Sequence, residues 1–416
     1  MRYTVNKSFR ALCLTVWCAL LLAGLTSCIG SKQESGPPAA VSEEPQKEVK
    51  DPIQERIERM SQSEKIGQMM LVGLDGYELG ENARALIDTY RVGGFIFYKR
   101  NINDGLQLVE LVNTLKAVNH ERGAPPLWLS VDEEGGRVTR MPAELAKVPS
   151  AEKVGKAGKP ELALHIGQAL GEGLSAFGLN MNFAPVLDVN SNPGNPVIGN
   201  RSYDSNAERV GMMGVQMMMG LQSSQVVPVV KHFPGHGDTS VDSHIGLPVV
   251  NHDLDRLRSL ELKPFAEAVR SGADAVMVAH ILLPKLDPEA PATFSKPVIT
   301  ELLRKELGFT GVVITDDLTM GAIVKHYDIG QAAVRSVEAG SDVLLVGHGF
   351  DEAVSVFYAL QQAVSDGVLT VEQLDQSVDR ILRLKEKYKL DDENKAVPDL
   401  IRINSAIRSA VTSLDP

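Results

Sequence analysis

At 416 residues, 44% apolar and 23% charged, the chain can bury one barrel-sized core or two ordinary ones, which excludes disorder as its general state. Its formal net charge of −11, with no Lys/Arg cluster beyond the extreme N-terminus, argues against a nucleic-acid partner, since binding a polyanion needs basic patches. Cys13, Cys18 and Cys28 all fall at the N-terminus, so the body has neither a disulfide nor a thiolate metal site.

Arg2, Lys7 and Arg10 precede the apolar run Ala11 to Leu25, which is short for a membrane span and has the layout of a signal peptide over residues 1–27. Leu25-Thr26-Ser27-Cys28 resembles the lipobox of bacterial lipoproteins. That resemblance implies cleavage before Cys28 and a lipid anchor on its thiol, since two acyl chains hold a protein at a membrane where one does not. The expected product is an exported, membrane-anchored lipoprotein, at the outer membrane or the outer face of the cell membrane. Residues 28–50, rich in Ser, Pro, Glu, Lys and Gln, read as a disordered tether.

Beyond Pro52, apolar runs of strand length alternate with longer segments of helical period. Candidate strands are Met69–Val72, Gly94–Phe97, Leu127–Val131, Met181–Ala184, Val227–Val230, Ala275–Ala279, Val312–Thr315 and Val343–Val346. Between them, Leu162, Ile166, Ala169 and Leu170 mark one helix; Val371, Leu374, Val378, Ile381 and Leu382 mark another, with Thr370 and Gln373 as a capping box. Eight such β-then-α units over 51–391, undivided by any linker, predict a single α/β domain, a (β/α)8 TIM barrel with its active site at the C-terminal ends of the strands. A doubly wound open sheet is the alternative, but no Gly-rich phosphate fingerprint follows the first strand. The tail 392–416 carries Leu400, Ile401, Ile403 and Ile407, and could form one more helix against the barrel bottom.

The strand ends are unusually polar. They offer Asp132-Glu-Glu-Gly-Gly-Arg-Val138, then Asp188 with Asn190 and Gly199-Asn-Arg-Ser-Tyr203, then the Gly-rich loop Lys231 to Pro248 with three of the nine histidines, then His280, Asp316-Asp317 and His348. Two chemistries suit this ring. His232, His236, Asp238, Asp242, His244 and His280 could bind zinc or iron in a metal-dependent hydrolase, although the loop does not guarantee their convergence. Alternatively, a carboxylate and a proton donor could cleave a glycosidic bond. In an extended Asp242-Ser-His244 the two side chains share one side, so Asp242 can fix the imidazole tautomer and favour its protonated form. His244 would then be the proton donor and Asp316 the fixed nucleophile.

At these residues the chain resembles glycoside hydrolase family 3, and within it the bacterial β-N-acetylglucosaminidases of peptidoglycan recycling. The matching motifs are Lys231-His-Phe-Pro-Gly-His-Gly-Asp-Thr239, Asp242-Ser-His244, Asp132-x-Glu-Gly-Gly-Arg-Val138, Gly199-Asn-Arg-Ser202 and Thr315-Asp-Asp-Leu-x-Met320, in the family's order. The resemblance spans roughly Ile53 to Leu390 and implies a TIM barrel and a retaining mechanism. By it, Asp316 is the nucleophile and His244, paired with Asp242, the acid/base on a mobile loop, whereas many members take that group from a separate domain. Asp132 would grip the outer hydroxyls of the sugar, with Arg201, Lys231 and His232 lining the pocket for the non-reducing GlcNAc. Glu133 stands where the subgroup more often has Gln, and Arg140 and Met320 are neighbours of the pocket. Asp317 is expected to be structural, Arg137 to brace its loop, His236 to satisfy loop backbone, and Gly235 and Gly237 to give the loop freedom; His280 is a pocket wall or a core histidine. The resulting expectation is an exo-β-N-acetylglucosaminidase acting on β-linked GlcNAc glycans as a monomer, without metal or cofactor, and water or phosphate could accept the sugar.

Overall fold

The computed structural model describes residues 51–412; the expected signal peptide, Cys28, the expected tether and residues 413–416 lie outside the described residues. Eight parallel strands follow one another around a ring: β1 (Met70–Gly73), β2 (Gly94–Phe97), β3 (Trp128–Val131), β4 (Met181–Asn182), β5 (Val227–Phe233), β6 (Ala275–Val278), β9 (Val312–Thr315) and β10 (Leu344–Val346). β1 pairs with both β2 and β10, and a parallel bridge from Ile314 to Val343 joins β9 to β10 and closes the barrel. The eight apolar runs are these eight strands, each buried on both faces except at Gly73, as a parallel sheet covered by helices requires.

The sequence did not announce the antiparallel hairpin β7 (Leu282–Leu283) and β8 (Asp287–Pro291), inserted between β6 and β9. It anchors the returning end of the histidine loop: Leu282 donates to the Pro248 carbonyl at 2.9 Å and accepts from Val250 N–H at 2.9 Å.

The helix Pro160–Ala176 buries Leu162, Ile166, Ala169 and Leu170, and Val371–Lys387 buries Leu374, Val378, Ile381 and Leu382. Thr370 and Gln373 cap the latter reciprocally; Val371, at its first position, is exposed. The tail departs from expectation. Residues 391–395 cross beneath the helix Gly105–Glu121, but the last helix, Leu400–Thr412, lies on the flank of the barrel and not its bottom. Its buried Ile403 faces the helix Pro160–Ala176 at Gly173, and Asn404 bonds to Ala146 N–H and the Glu144 carbonyl in the loop after β3. Apolar spacing identifies a helix face but not the neighbour that covers it.

Candidate active site

The C-terminal strand ends enclose a cavity of about 370 Å³, within the range of small-ligand sites. Phe183, Met277 and Leu345 give it an apolar floor, and the polar residues stand around them. Asp132, Arg201, Lys231, His232, His244 and Asp316 all line it; Asp242 does not, and acts on the cavity through His244. Arg140 and Met320 also line it.

Lys231 and His232 sit where the pairing of β5 with β6 shifts register between Val230 and Phe233. Lys231 is buried, with Nζ 2.6 Å from Asp132 Oδ1 and 2.7 Å from Glu134 Oε1. Burial by itself would lower its pKa, but Asp132 and Glu134 outweigh that and raise it. Arg201 forks onto the same Glu134, Nε to Oε2 at 2.8 Å and Nη2 to Oε1 at 2.7 Å, and its Nη2 lies 3.4 Å from His232 Nε2. Burial works against the Glu134 charge too, yet Arg201 and Lys231 hold its carboxyl well below the usual carboxylate range. Glu134, read from the sequence only as part of a motif, is thus the anion that both pocket cations share.

Asp188 is fully buried beneath the pocket. It accepts from His236 N–H at 2.6 Å and its Oδ2 lies 2.6 Å from His232 Nδ1, which turns Nε2 toward the cavity. Burial would raise its pKa, but His232 and His236 keep it lowered. His236 bonds through Nδ1 to Thr239 Oγ1 at 2.7 Å and through Nε2 to Ser243 Oγ at 3.3 Å, so its ring pairs with loop side chains and not, as expected, with loop backbone. Burial, with His232 adding to it, lowers its pKa to about 4, and it is neutral at neutral pH.

Asp316 follows β9 directly and accepts from Asp317 N–H at 2.8 Å, which orients its carboxylate. Burial raises its pKa, but His280, His232, the Asp317 N–H and His244 outweigh that, and it is held lowered and ionised. Asp317 turns to other work, accepting from Gly347 N–H at 2.9 Å and from Thr319 N–H and Oγ1–H at 2.9 and 2.7 Å. His280 is fully buried between Thr293 Oγ1 and the Asp317 carbonyl, at 2.6 and 2.9 Å; it is a core histidine that supports the Asp316–Asp317 turn and does not wall the pocket. His348 after β10, one of the polar strand-end residues, and Tyr98 after β2, not singled out in the sequence, complete the rim and stack with ring centroids 4.8 Å apart.

His244 stands on the loop after β5, its side chain 68% exposed. Asp242 Oδ1 accepts its backbone N–H at 2.9 Å and lies 2.9 Å from its Nδ1, leaving Nε2 for the cavity. Gly235 and Gly237 serve close packing. A Cβ on Gly237 would meet the Val189 carbonyl oxygen at 1.7 Å, and one on Gly235, at φ +134°, would meet Glu261 at 2.8 Å. Arg137 braces its loop as expected, donating to the Val197 and Ile198 carbonyls. Glu133 is buried and pins residues 139–141 through Thr139 Oγ1 and the N–H groups of Arg140 and Met141.

The six candidate metal ligands are dispersed. His232 faces Asp188, His236 faces Thr239 and Ser243, Asp238 faces His252 at 2.6 Å, Asp242 faces His244, and His280 faces Thr293. Among the described residues no three His, Cys, Asp or Glu side chains converge as ligands would.

The chain is 36% identical over 335 residues to a Beta-hexosaminidase A of Pseudoalteromonas piscicida, covering 75% of this chain and 56% of that protein, so it spans little more than half of this relative. It is 32% identical over 350 residues to a Beta-hexosaminidase of Nitrosomonas eutropha, covering 82% of this chain and 98% of that one. Among solved structures, a glycoside hydrolase family 3 β-N-acetylglucosaminidase from Paenibacillus superposes with a TM-score of 0.81 at 42% identity, over 85% of this chain and 69% of its own. The Glycosyl hydrolase family 3 N terminal domain matches residues 61–384, a span that holds every residue of the cavity, and the chain belongs to that family.

Proposed function

We propose that the protein is a retaining exo-β-N-acetylglucosaminidase that removes terminal non-reducing GlcNAc from peptidoglycan fragments or related β-linked glycans. The observation that carries this reading is the meeting in one cavity of an ionised Asp316 and a His244 whose Nδ1 is held by Asp242, together with Lys231, Arg201 and His232. Asp316 attacks the anomeric carbon as the glycosidic bond breaks, and His244 Nε2 gives a proton to the leaving oxygen. His244 then takes a proton from water, which attacks the glycosyl-enzyme and releases the sugar with its configuration retained. The curated relatives carry the name Beta-hexosaminidase, which supports the sugar class.

Release of 4-nitrophenol from its β-GlcNAc glycoside, with and without phosphate, and NMR of the first-formed anomer test the reading. Asp316→Ala is expected to abolish turnover, and the wild type to give the β-anomer and keep its activity after exhaustive chelation. An active Asp316→Ala variant would falsify the mechanism. Chelation-sensitive turnover restored by zinc would favour the metal-dependent alternative.

The lipobox-like motif at Cys28 supports a lipid tether that holds the enzyme at a membrane. Cys28→Ala is expected to move the protein from the membrane to the soluble fraction; membrane retention of that variant would sink the anchor.

A further inference from the structure

His244 is the most exposed of the groups assigned to the reaction, yet it must deliver a proton to one oxygen, so something has to hold the loop tip in place. Asp242 fixes the ring relative to the tip but not the tip relative to the barrel. The tip presents three consecutive carbonyls, those of Ser243, His244 and Ile245, to the segment Gly321–Lys325, which continues the chain just beyond the Asp316 turn. Ala322 N–H donates to the Ser243 carbonyl at 2.9 Å. A Cβ on Gly321 would meet the His244 carbonyl oxygen at 2.5 Å, so the backbones touch there. Lys325 Nζ donates to the Ile245 carbonyl at 2.7 Å, a charge-assisted hydrogen bond made by an exposed side chain that lines no part of the cavity.

We infer that Lys325 is a positioning residue for the acid/base, latching the His244 loop onto the segment that carries the nucleophile. The inference rests on the reading of His244 as acid/base. The latch explains how a proton donor on a loop keeps register with a carboxylate on another strand end: the loop tip is bonded to Gly321–Lys325, which follows Asp316 in the chain. Ser243 is also held from within the loop, through its Oγ to His236 Nε2, but that contact does not reach the Asp316 segment. Lys325 touches neither substrate nor reacting atoms, so its loss should act on proton delivery and leave attack by Asp316 unaffected.

The test compares kcat/KM for a series of β-N-acetylglucosaminides with graded leaving groups, from 2,4-dinitrophenyl, which needs no proton, to alkyl, which does. It uses the wild type, Lys325→Met, Lys325→Arg and His244→Ala. A tip misplaced by about an ångström can cost on the order of 100-fold, so Lys325→Met is expected to lose about 10- to 100-fold on the alkyl glycoside. It should stay near wild type on the dinitrophenyl one, and Lys325→Arg should restore the alkyl rate. Gly321→Ala, which presses on the same carbonyl row from the backbone side, is expected to show the same leaving-group signature. A uniform loss across the series, no loss at all, or failure of Lys325→Arg to rescue would overturn the latch. If His244→Ala steepens the leaving-group dependence while Lys325→Met does not, the latch alone falls. If His244→Ala shows no such steepening, the acid/base assignment falls and takes the latch with it.

Discussion

Lys231 and Arg201 bring two positive charges into a buried pocket wall, and Glu134 is the anion common to both. Removing Glu134 takes the ion-pair partner from Arg201 and leaves Lys231 with Asp132 alone, and breaking a buried pair costs about 3–5 kcal/mol. Glu134→Gln is therefore expected to lower stability by about 3 kcal/mol in chemical denaturation at pH 7 and to raise KM for the aryl glycoside about tenfold. The depressed carboxyl also gives a pH signature. Its folded-state pKa is below the ordinary 4.5, so its stabilisation is complete above about pH 4.5 and is lost as pH falls toward the folded value. The variant should lack that part of the acid-side loss of stability; an unchanged Tm-against-pH curve would count against the assignment. The sequence holds a hint of Glu134. It stands two residues from Asp132 in a segment leaving a strand, where alternate side chains share a side, the same argument that paired Asp242 with His244. The Asp188–His232 pair was harder to see, because its partners are 44 residues apart and only strand order brings β4 and β5 together.

At the scale of elements, the strands were legible because a parallel barrel buries both faces of every strand, leaving short apolar runs between helices. Their ends shifted where polar residues continue the pairing. β5 runs on through Lys231, His232 and Phe233, and that extension brings Lys231 and His232 to the cavity. The hairpin β7–β8 escaped notice because Asp287-Pro-Glu-Ala-Pro291 has the composition of a loop and pairs over only a few residues. It nonetheless holds the returning end of the histidine loop. In the loop itself glycine permits both mobility and close approach, and the sequence does not distinguish them. At Gly237 the Val189 carbonyl decides for close approach. The loop thus has a packed root at Gly237, an anchored return at Pro248–Val250 and a tip held by Gly321–Lys325, with His244 exposed between them.

At the scale of the whole barrel, Lys385 joins the helix Val371–Lys387 to the segments that enter the first two strands. It projects from the helix Val371–Lys387, is 3% exposed, and donates to Gln68 Oε1 at 2.8 Å, just before β1, and to the Gly93 carbonyl at 3.0 Å, just before β2. Its Nζ lies 5.4 Å from the centroid of the Trp128 ring on β3. Burial lowers its pKa from 10.5 to about 7, against the opposing charge of Asp392. Because the folded-state value lies below the unfolded one, the unfolded chain binds more protons between about pH 7 and 10.5, and stability rises with pH across that window. Below about pH 7 the ammonium is charged in both states and the full cost of burying it is present. Lys385→Met keeps the length of the side chain but has no proton to lose, so its Tm should rise less with pH from 7 to 10 than that of the wild type. Other lysines and the tyrosines titrate in both proteins, so the difference between the two curves isolates Lys385. Parallel curves would mean that Lys385 stays charged in the folded protein, with Gln68, Gly93 and the Trp128 ring together compensating its burial.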